Sequence, residues 1–289
     1  MWSIINKEYR QRARGVATVG LITTYTVILA GVAFFTYFAS YPFLANQART
    51  SGDVGLIMSV AVFITQMIMA LLLSLSLNAS TIASEKDQET FDLLNLTLFK
   101  SYEIVFGKYL SSTGFLFILV VTALPIYALA FTFGGLSLEA FWQLAAVVAG
   151  MTLFISALGL MLSLVSEDVR TALGRSFFAL ILVAVVTVFF GAALTGSFDQ
   201  SPPNLLTYWV GTLALLLNPL WSAIDVFRHT LTTGIQWAQP QPLVVPFLVQ
   251  NGLLWAWSAG SQAVLALLIL VVTTLIYPRY RASTIGGTP

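Results

Sequence analysis

Residues 54–78 read VGLIMSVAVFITQMIMALLLSLSLN, a run without one charged side chain. A helix needs ~20 mostly apolar residues to cross the hydrocarbon of a bilayer, so this run is long enough to span one. Working outward, the same test picks out 15–39 before it, and 109–133, 139–166, 176–196 and 253–277 after it. Over the whole chain of 289 residues, 58% are hydrophobic and 9% charged, against roughly 25% charged in an ordinary soluble domain. That composition excludes a soluble globular protein, and it excludes a disordered chain, which needs low hydrophobicity and high charge. The expected fold class is an all-α polytopic membrane protein with six transmembrane helices. The first span has no short apolar core followed by a small-residue cleavage site, so it reads as a retained span rather than a signal peptide.

Charge sets the orientation. Lys7, Arg10, Arg12 and Arg14 precede the first span; Lys86, Lys100 and Lys108 lie between the second and third. Arg170 and Arg175 separate the fourth and fifth, and Arg279 and Arg281 follow the sixth. Six spans put all these on one side, leaving only Arg49 and Arg228 of the 13 basic residues on the other. The positive-inside rule then places both termini in the cytoplasm. The expected location is the cell membrane, multi-pass, of the prokaryotic inner or plasma type. A net charge of +1 offers no general attraction for nucleic acid. With no cysteine and one histidine, thiolate chemistry and multi-histidine metal sites are excluded.

Residues 197–252 form the least regular part. The apolar run 205–217 is short for a span, and Asn218-Pro219 breaks it before the second run, 220–227. Asp225 and Arg228 follow at i,i+3 spacing, which suits a pair near water. Residues 205–229 therefore read as a broken helical hairpin dipping into the outer leaflet. The competing reading is a seventh span, which would move Arg279 and Arg281 outside. Trp142, Trp209, Trp221, Trp237, Trp255 and Trp257 all fall at or near the outer interface, where indoles prefer to sit.

Two charged segments lie on the inner side. In residues 1–14, Trp2, Ile4, Ile5 and Tyr9 share one side of a helix opposite Lys7, Glu8, Arg10, Arg12 and Arg14, as in an interfacial amphipathic helix. The loop 79–108 is the longest inner stretch. Ser84 precedes Glu85, Lys86 and Asp87 in the manner of a helix N-cap followed by an acidic first turn. Phe91, Leu94 and Leu98 then recur at helical spacing, and Glu85, Asp87, Glu89 and Asp92 make the start acidic. Such a helix fits the groove of a partner, or packs on its own chain; the residues alone weigh both equally.

The stretch Glu85-Lys86-Asp87-Gln88-Glu89-Thr90-Phe91-Asp92-Leu93-Leu94, continued through Tyr102-Glu103-Ile104-Val105-Phe106-Gly107-Lys108, resembles the cytoplasmic signature of type-2 ABC-transporter permeases. Thr90, Asp92, Leu93, Leu94, Thr97, Glu103, Gly107 and Lys108 match that pattern position by position. Glu89 stands where the family has Gly, and Leu98 where it has Pro. The opening Asn6-Lys7-Glu8-Tyr9-Arg10-Gln11-Arg12, the six spans and the external hairpin resemble the family as well, so the likeness covers nearly the whole chain. It implies the permease subunit of an ATP-driven exporter. Residues 1–14 would be the elbow helix. Glu85, Asp87, Thr90, Phe91, Asp92, Leu93, Leu94 and Leu98 would belong to a coupling helix docked on the ATPase. The substrate path would run between two permease subunits, largely along the second and fifth spans.

The chain contains no G-x-x-x-x-G-K-[ST] phosphate loop: Gly107-Lys108 is followed by Tyr109. Under the family reading, two copies of a separate P-loop ATPase carry ATP and magnesium, this chain binds no cofactor itself, and an identical or paralogous second permease completes the path. Catalytic constellations are missing too. His229 has only Asp225 one turn away, with Ser222 or Thr230 as nearby hydroxyls, which reads better as an interfacial polar cluster than as an enzyme site. The acidic group at 85–92 lacks the glycine turn of a calcium loop, so no metal site is expected. Within the spans, polar residues are few and tend to mark pathways. Gln66 shares a helix face with Ser59, Phe63, Ala70 and Ser74, and the fifth span carries Thr187, Phe189 and Phe190. Ser59, Phe63, Gln66, Ser74, Thr187 and Phe190 are thus candidates for a substrate path; for Gln66 the alternative is an interhelical hydrogen bond. No Asp or Glu occupies a span centre, which argues against a proton- or sodium-coupled carrier. An apolar, aromatic path would suit a hydrophobic or amphiphilic cargo. Besides the exporter permease, two other roles fit: a non-transporting membrane anchor that holds a cytoplasmic partner by the same loop, and an intramembrane enzyme at Asp225 and His229.

Overall fold

The computed structural model describes residues 16–45, 51–91, 100–134, 136–194, 218, 226 and 254–285. Seven helices run through them: α1 Val16–Ala45, α2 Ser51–Asp87, α3 Ser101–Thr122, α4 Leu124–Thr132, α5 Leu138–Val165, α6 Val169–Leu194 and α7 Leu254–Ile285. Six units are long and apolar enough to cross a membrane, with α3 and α4 together making the third. No strand occurs among the described residues. The amphipathic segment 1–14, residues 92–99 and most of 197–252, including Asp225 and His229, lie outside the described part.

Helices extend well past the apolar runs. The second span, read as 54–78, continues to Asp87, and the third starts at Ser101 rather than at 109. So the loop read as 79–108 is helical at both ends, and only 88–100 connects them. The polar residues in these turns satisfy themselves. The hydroxyls of Ser80 and Thr81 donate to the carbonyls of Ser76 and Leu77, one turn back. Ser84 does not cap a helix start. It lies in the final turns of α2, where its hydroxyl faces the Thr81 carbonyl at 3.5 Å, and Glu85, Lys86 and Asp87 end that helix instead.

The third span is interrupted where the sequence offered no expectation. α3 stops at Ala123, which also precedes α4, and Pro125 opens the second helix. Proline suits a first helical turn but has no amide for the carbonyl four residues back. At the other boundaries the caps are ordinary. Ser137 accepts from the Ala140 amide at 3.1 Å to begin α5, and Asp168 accepts from the Thr171 amide at 2.6 Å to begin α6.

α2 and α5 form the centre of the bundle. α5 packs most extensively on α7 and on α2, while α6 touches α2 and α5, and α1 touches mainly α2. Two glycines on α5 allow this. A Cβ on Gly150 would lie 2.8 Å from the Ala259 Cα of α7, and one on Gly159 would lie 3.2 Å from the Asn78 Cβ of α2. Small residues at such crossings let backbones approach, which in a membrane replaces the hydrophobic drive as the source of packing energy. The remaining faces are apolar and open. Phe34, Phe35 and Phe38 on α1, Phe178, Ile181 and Val185 on α6, and Leu267, Leu268 and Leu275 on α7 are all exposed. In water such patches would be aggregation sites; against hydrocarbon they are the expected surface.

Candidate functional site

Five helix ends meet at the charged end of the bundle. These are the C-termini of α2, α5 and α7 and the N-termini of α3 and α6. Lys108 on α3 is 3% exposed and bonds Glu85 of α2, Nζ to Oε1, at 2.7 Å. Its ammonium also faces the Thr81 carbonyl at 3.5 Å. The next residue, Lys86, donates to the main-chain carbonyls of Leu164 and Ser166, the second at 2.9 Å, and so caps the end of α5. A cation there offsets the negative end of the helix dipole. The same ammonium lies 5.4 Å from the ring of Phe91 and 5.1 Å from that of Tyr280, both within cation–π range. Asp87 accepts from the Val169 amide at 3.2 Å, at the start of α6.

α2 ends in a left-handed residue. The Thr90 amide donates to the Glu85 carbonyl at 2.9 Å and the Glu89 amide to the Lys86 carbonyl at 3.0 Å. These are the two bonds of a Schellman cap, and they require φ > 0 at the intervening residue. Glu89 supplies it with φ 56. Phe91 then turns back under the bundle, 3% exposed, with its ring 6.0 Å from that of Tyr277. Around it Ile82, Ile104, Val105, Tyr109, Leu160 and Leu164 form a separate apolar cluster.

Of the residues expected to face an ATPase, Glu85, Asp87, Thr90 and Phe91 are described, and each is engaged with its own chain. Glu85 pairs with Lys108, Asp87 holds α6, Thr90 closes the cap and Phe91 is buried. Asp92, Leu93, Leu94 and Leu98 lie outside the described residues. Asp87 and Glu89 are the exposed carboxylates among the described members of the acidic group. Among the described residues, no three acidic or imidazole side chains come together as a metal site would need. Asp168, half-buried at the α5–α6 turn, is held below the usual carboxylate range, chiefly by the amide hydrogen bond from Thr171 and also by its hydroxyl. Sequence reasoning did not single out Lys86, Lys108, Ser166 or Tyr280 as partners within the site. The spacing of Glu85 and Lys108 says nothing of contact until two helices are set in register.

Deeper in the bundle the candidate path residues divide. The hydroxyls of Ser59, Ser74 and Thr187 donate to carbonyls of their own helices, those of Gly55, Ala70 and Val183. Thr187 Oγ1 also accepts from Asn218 Nδ2 at 3.2 Å, which ties one point of the 197–252 region to α6. Phe190 belongs to α6, and its side chain lies outside the described part. Phe63 and Gln66 do face open space. With Tyr127, Phe117, Phe141 and Trp142 they line a cavity of about 420 Å³ between α2, the α3–α4 break and α5. Gln66 also makes the interhelical bond that was its alternative reading: the Tyr127 hydroxyl donates to its Oε1 at 2.6 Å. The cavity is therefore built by the second, third and fourth spans.

A second polar seam crosses the bundle below it. Asn78 donates to the Ser74 carbonyl at 2.8 Å and accepts from Ser112 of α3 at 2.5 Å. Ser163 of α5 accepts from two successive amides of α2, Ile82 and Ala83, both at 2.9 Å. Comparison with protein-family models and with curated proteins finds no match for the chain.

Proposed function

We propose that this chain is the membrane-spanning permease subunit of an ATP-driven ABC exporter, forming half of a substrate path and receiving mechanical work from a separate P-loop ATPase. The observation that carries this reading is Glu89. The family signature places Gly there, and the backbone at Glu89 takes the left-handed conformation that glycine adopts freely. The departure in sequence thus falls at a position where the main chain still follows what glycine would do, which supports the residue-by-residue resemblance around it. Support comes also from convergence. The connection 88–100 begins and ends on helices whose ends hold α5 and α6, so a push on it reaches the bundle through Lys86, Asp87 and Lys108. On this reading both termini are cytoplasmic, 1–14 is an elbow helix, 197–252 holds an external hairpin, and the partners are two ATPase copies with ATP and magnesium plus a second permease.

One observation favours the alternative, a membrane anchor that does not transport. Glu85, Thr90 and Phe91 are engaged with their own chain, and among the described residues of this stretch Asp87 and Glu89 are the carboxylates left exposed to meet a partner. Purification from native membrane in mild detergent, with mass spectrometry of what stays bound, separates the readings. A stoichiometric P-loop ATPase, lost when Leu94 and Leu98 are both changed to Asp, is the expected result, with ATP-dependent cargo movement in vesicles. A chain that binds a cytoplasmic partner but moves no cargo would put the anchor ahead.

A further inference from the structure

The cavity between α2, the α3–α4 break and α5 has the properties of a ligand site that belongs to a single chain. Its volume of about 420 Å³ lies within the range of small-molecule pockets, roughly 300–1,000 Å³. It exists because α3 and α4 do not continue as one helix: Val120, Val121, Leu124 and Tyr127, all lining residues, straddle the break at Pro125. Three of the lining residues, Val121, Leu124 and Trp142, are exposed, so the cavity opens sideways on an apolar face of the bundle.

Its chemistry is one-sided. Five aromatic rings line it, and no charged residue does. Charge would therefore enter without a partner, which an apolar lining strongly disfavours. A single carboxamide, Gln66, is set in this apolar wall and is 4% exposed. Tyr127 occupies its Oε1, which assigns the two N–H donors of Nε2 to the other side. The buried Tyr25 hydroxyl lies beside them and can accept from one. The second donor is left for whatever fills the cavity that Gln66 lines.

We propose that this cavity binds a neutral, membrane-dissolved lipophile through the lateral opening. An apolar or flat-ring body packs on Phe63, Phe117, Phe141 and Trp142, and one hydroxyl or carbonyl oxygen accepts from Gln66. The site does not depend on the exporter reading, since it needs neither an ATPase nor a second chain. A bilayer lipid such as a diacylglycerol and a transported lipophile present the same chemistry. Native mass spectrometry of molecules that stay bound tells these two sources apart.

The test uses the full chain in phosphatidylcholine nanodiscs with a diazirine-bearing dodecanol, mapping labelled peptides by mass spectrometry. Labelling is expected around 117–127 and 141–149. Unlabelled dodecanol is expected to compete about five-fold better than dodecane, as one neutral hydrogen bond would give. Gln66→Leu should erase that preference while labelling persists, and Ala145→Trp, which fills the pocket, should abolish labelling there. Ala149→Phe gives a second filled pocket if the first variant does not purify as a single species. Labelling spread evenly over the exposed faces of α1, α6 and α7, unchanged by either filling variant, overturns the site. Equal competition by dodecane and dodecanol overturns the role of Gln66.

Discussion

Lys108 and Glu85 meet at 2.7 Å across two helices, and the lysine side chain is 3% exposed while the glutamate side chain is 26% exposed. The second carboxylate oxygen, Oε2, is buried, so the exposure of Glu85 comes from the rest of its side chain. Removing one partner of a fully buried pair costs about 3–5 kcal/mol, because an unpaired charge is left behind. The partial exposure of the Glu85 side chain lowers this, and Glu85→Gln should cost about 2 kcal/mol, with the stranded Lys108 responsible. The double variant Glu85→Leu with Lys108→Met should recover most of the loss. Thermal unfolding of the three variants in one detergent measures it; a double variant as unstable as the sum of the singles would contradict a coupled pair.

Glu89→Gly should stabilise the chain by about 1 kcal/mol, since it relieves a left-handed L-residue at a helix end. Glu89→Val should do the reverse, its branched side chain being poorly suited to φ > 0. Limited proteolysis within 88–100 reports the difference directly, with slower cleavage expected for the glycine variant.

Gly150→Ala should cost about 1–3 kcal/mol, because the added carbon meets the Ala259 backbone at 2.8 Å and neither helix can yield by a side-chain rotation. Gly31→Ala on α1, where nothing lies within 4 Å, is the control and should be neutral or slightly stabilising. Equal effects at the two sites, measured by thermal unfolding, would show that the α5–α7 approach is looser than 2.8 Å implies.

Asp168 gives the chain a dependence on acid. Its carboxyl is held below its ordinary value of 3.8, so it binds a proton less readily when folded than when unfolded. The stabilisation is therefore complete above that ordinary value and is lost as pH falls through the lower folded value. Asp168→Ala should remove this part of the acid sensitivity and weaken the start of α6, by a pH titration of thermal stability. Unchanged acid sensitivity in the variant would remove Asp168 from the account.

Hydropathy alone located the six spans, because ~20 uncharged residues in a row leave few other fates. It misplaced their ends for a physical reason. Past Asn78 the chain turns polar, yet Ser80 and Thr81 return their hydroxyls to helix carbonyls, and Lys86 and Lys108 find acceptors inside the bundle. A scale that scores residues singly counts these as signs of exit. The same blindness hid the Pro125 break, which costs nothing in hydropathy. At the charged end, the acidic start and Phe91 were legible as a group, but not that Ser84 and Glu85 close a helix rather than open one. The cavity was half legible: periodicity put Phe63 and Gln66 on one face, whereas Tyr127 and Trp142 come from helices whose register no local pattern fixes.

Ser163 has one side-chain oxygen and accepts from two neighbouring amides of α2 with it. Consecutive amides are offset by about 1.5 Å along a helix axis, so sliding α2 against α5 by a single residue would break both contacts at once. Tilting about that oxygen would not. If these two helices change their relationship during a working cycle, the motion open to them is a rocking one with its fulcrum at Ser163. The charged end and the Gln66 cavity lie at different heights along α2, so a small swing near Glu85 would be returned as an opposite swing at the aromatic pocket.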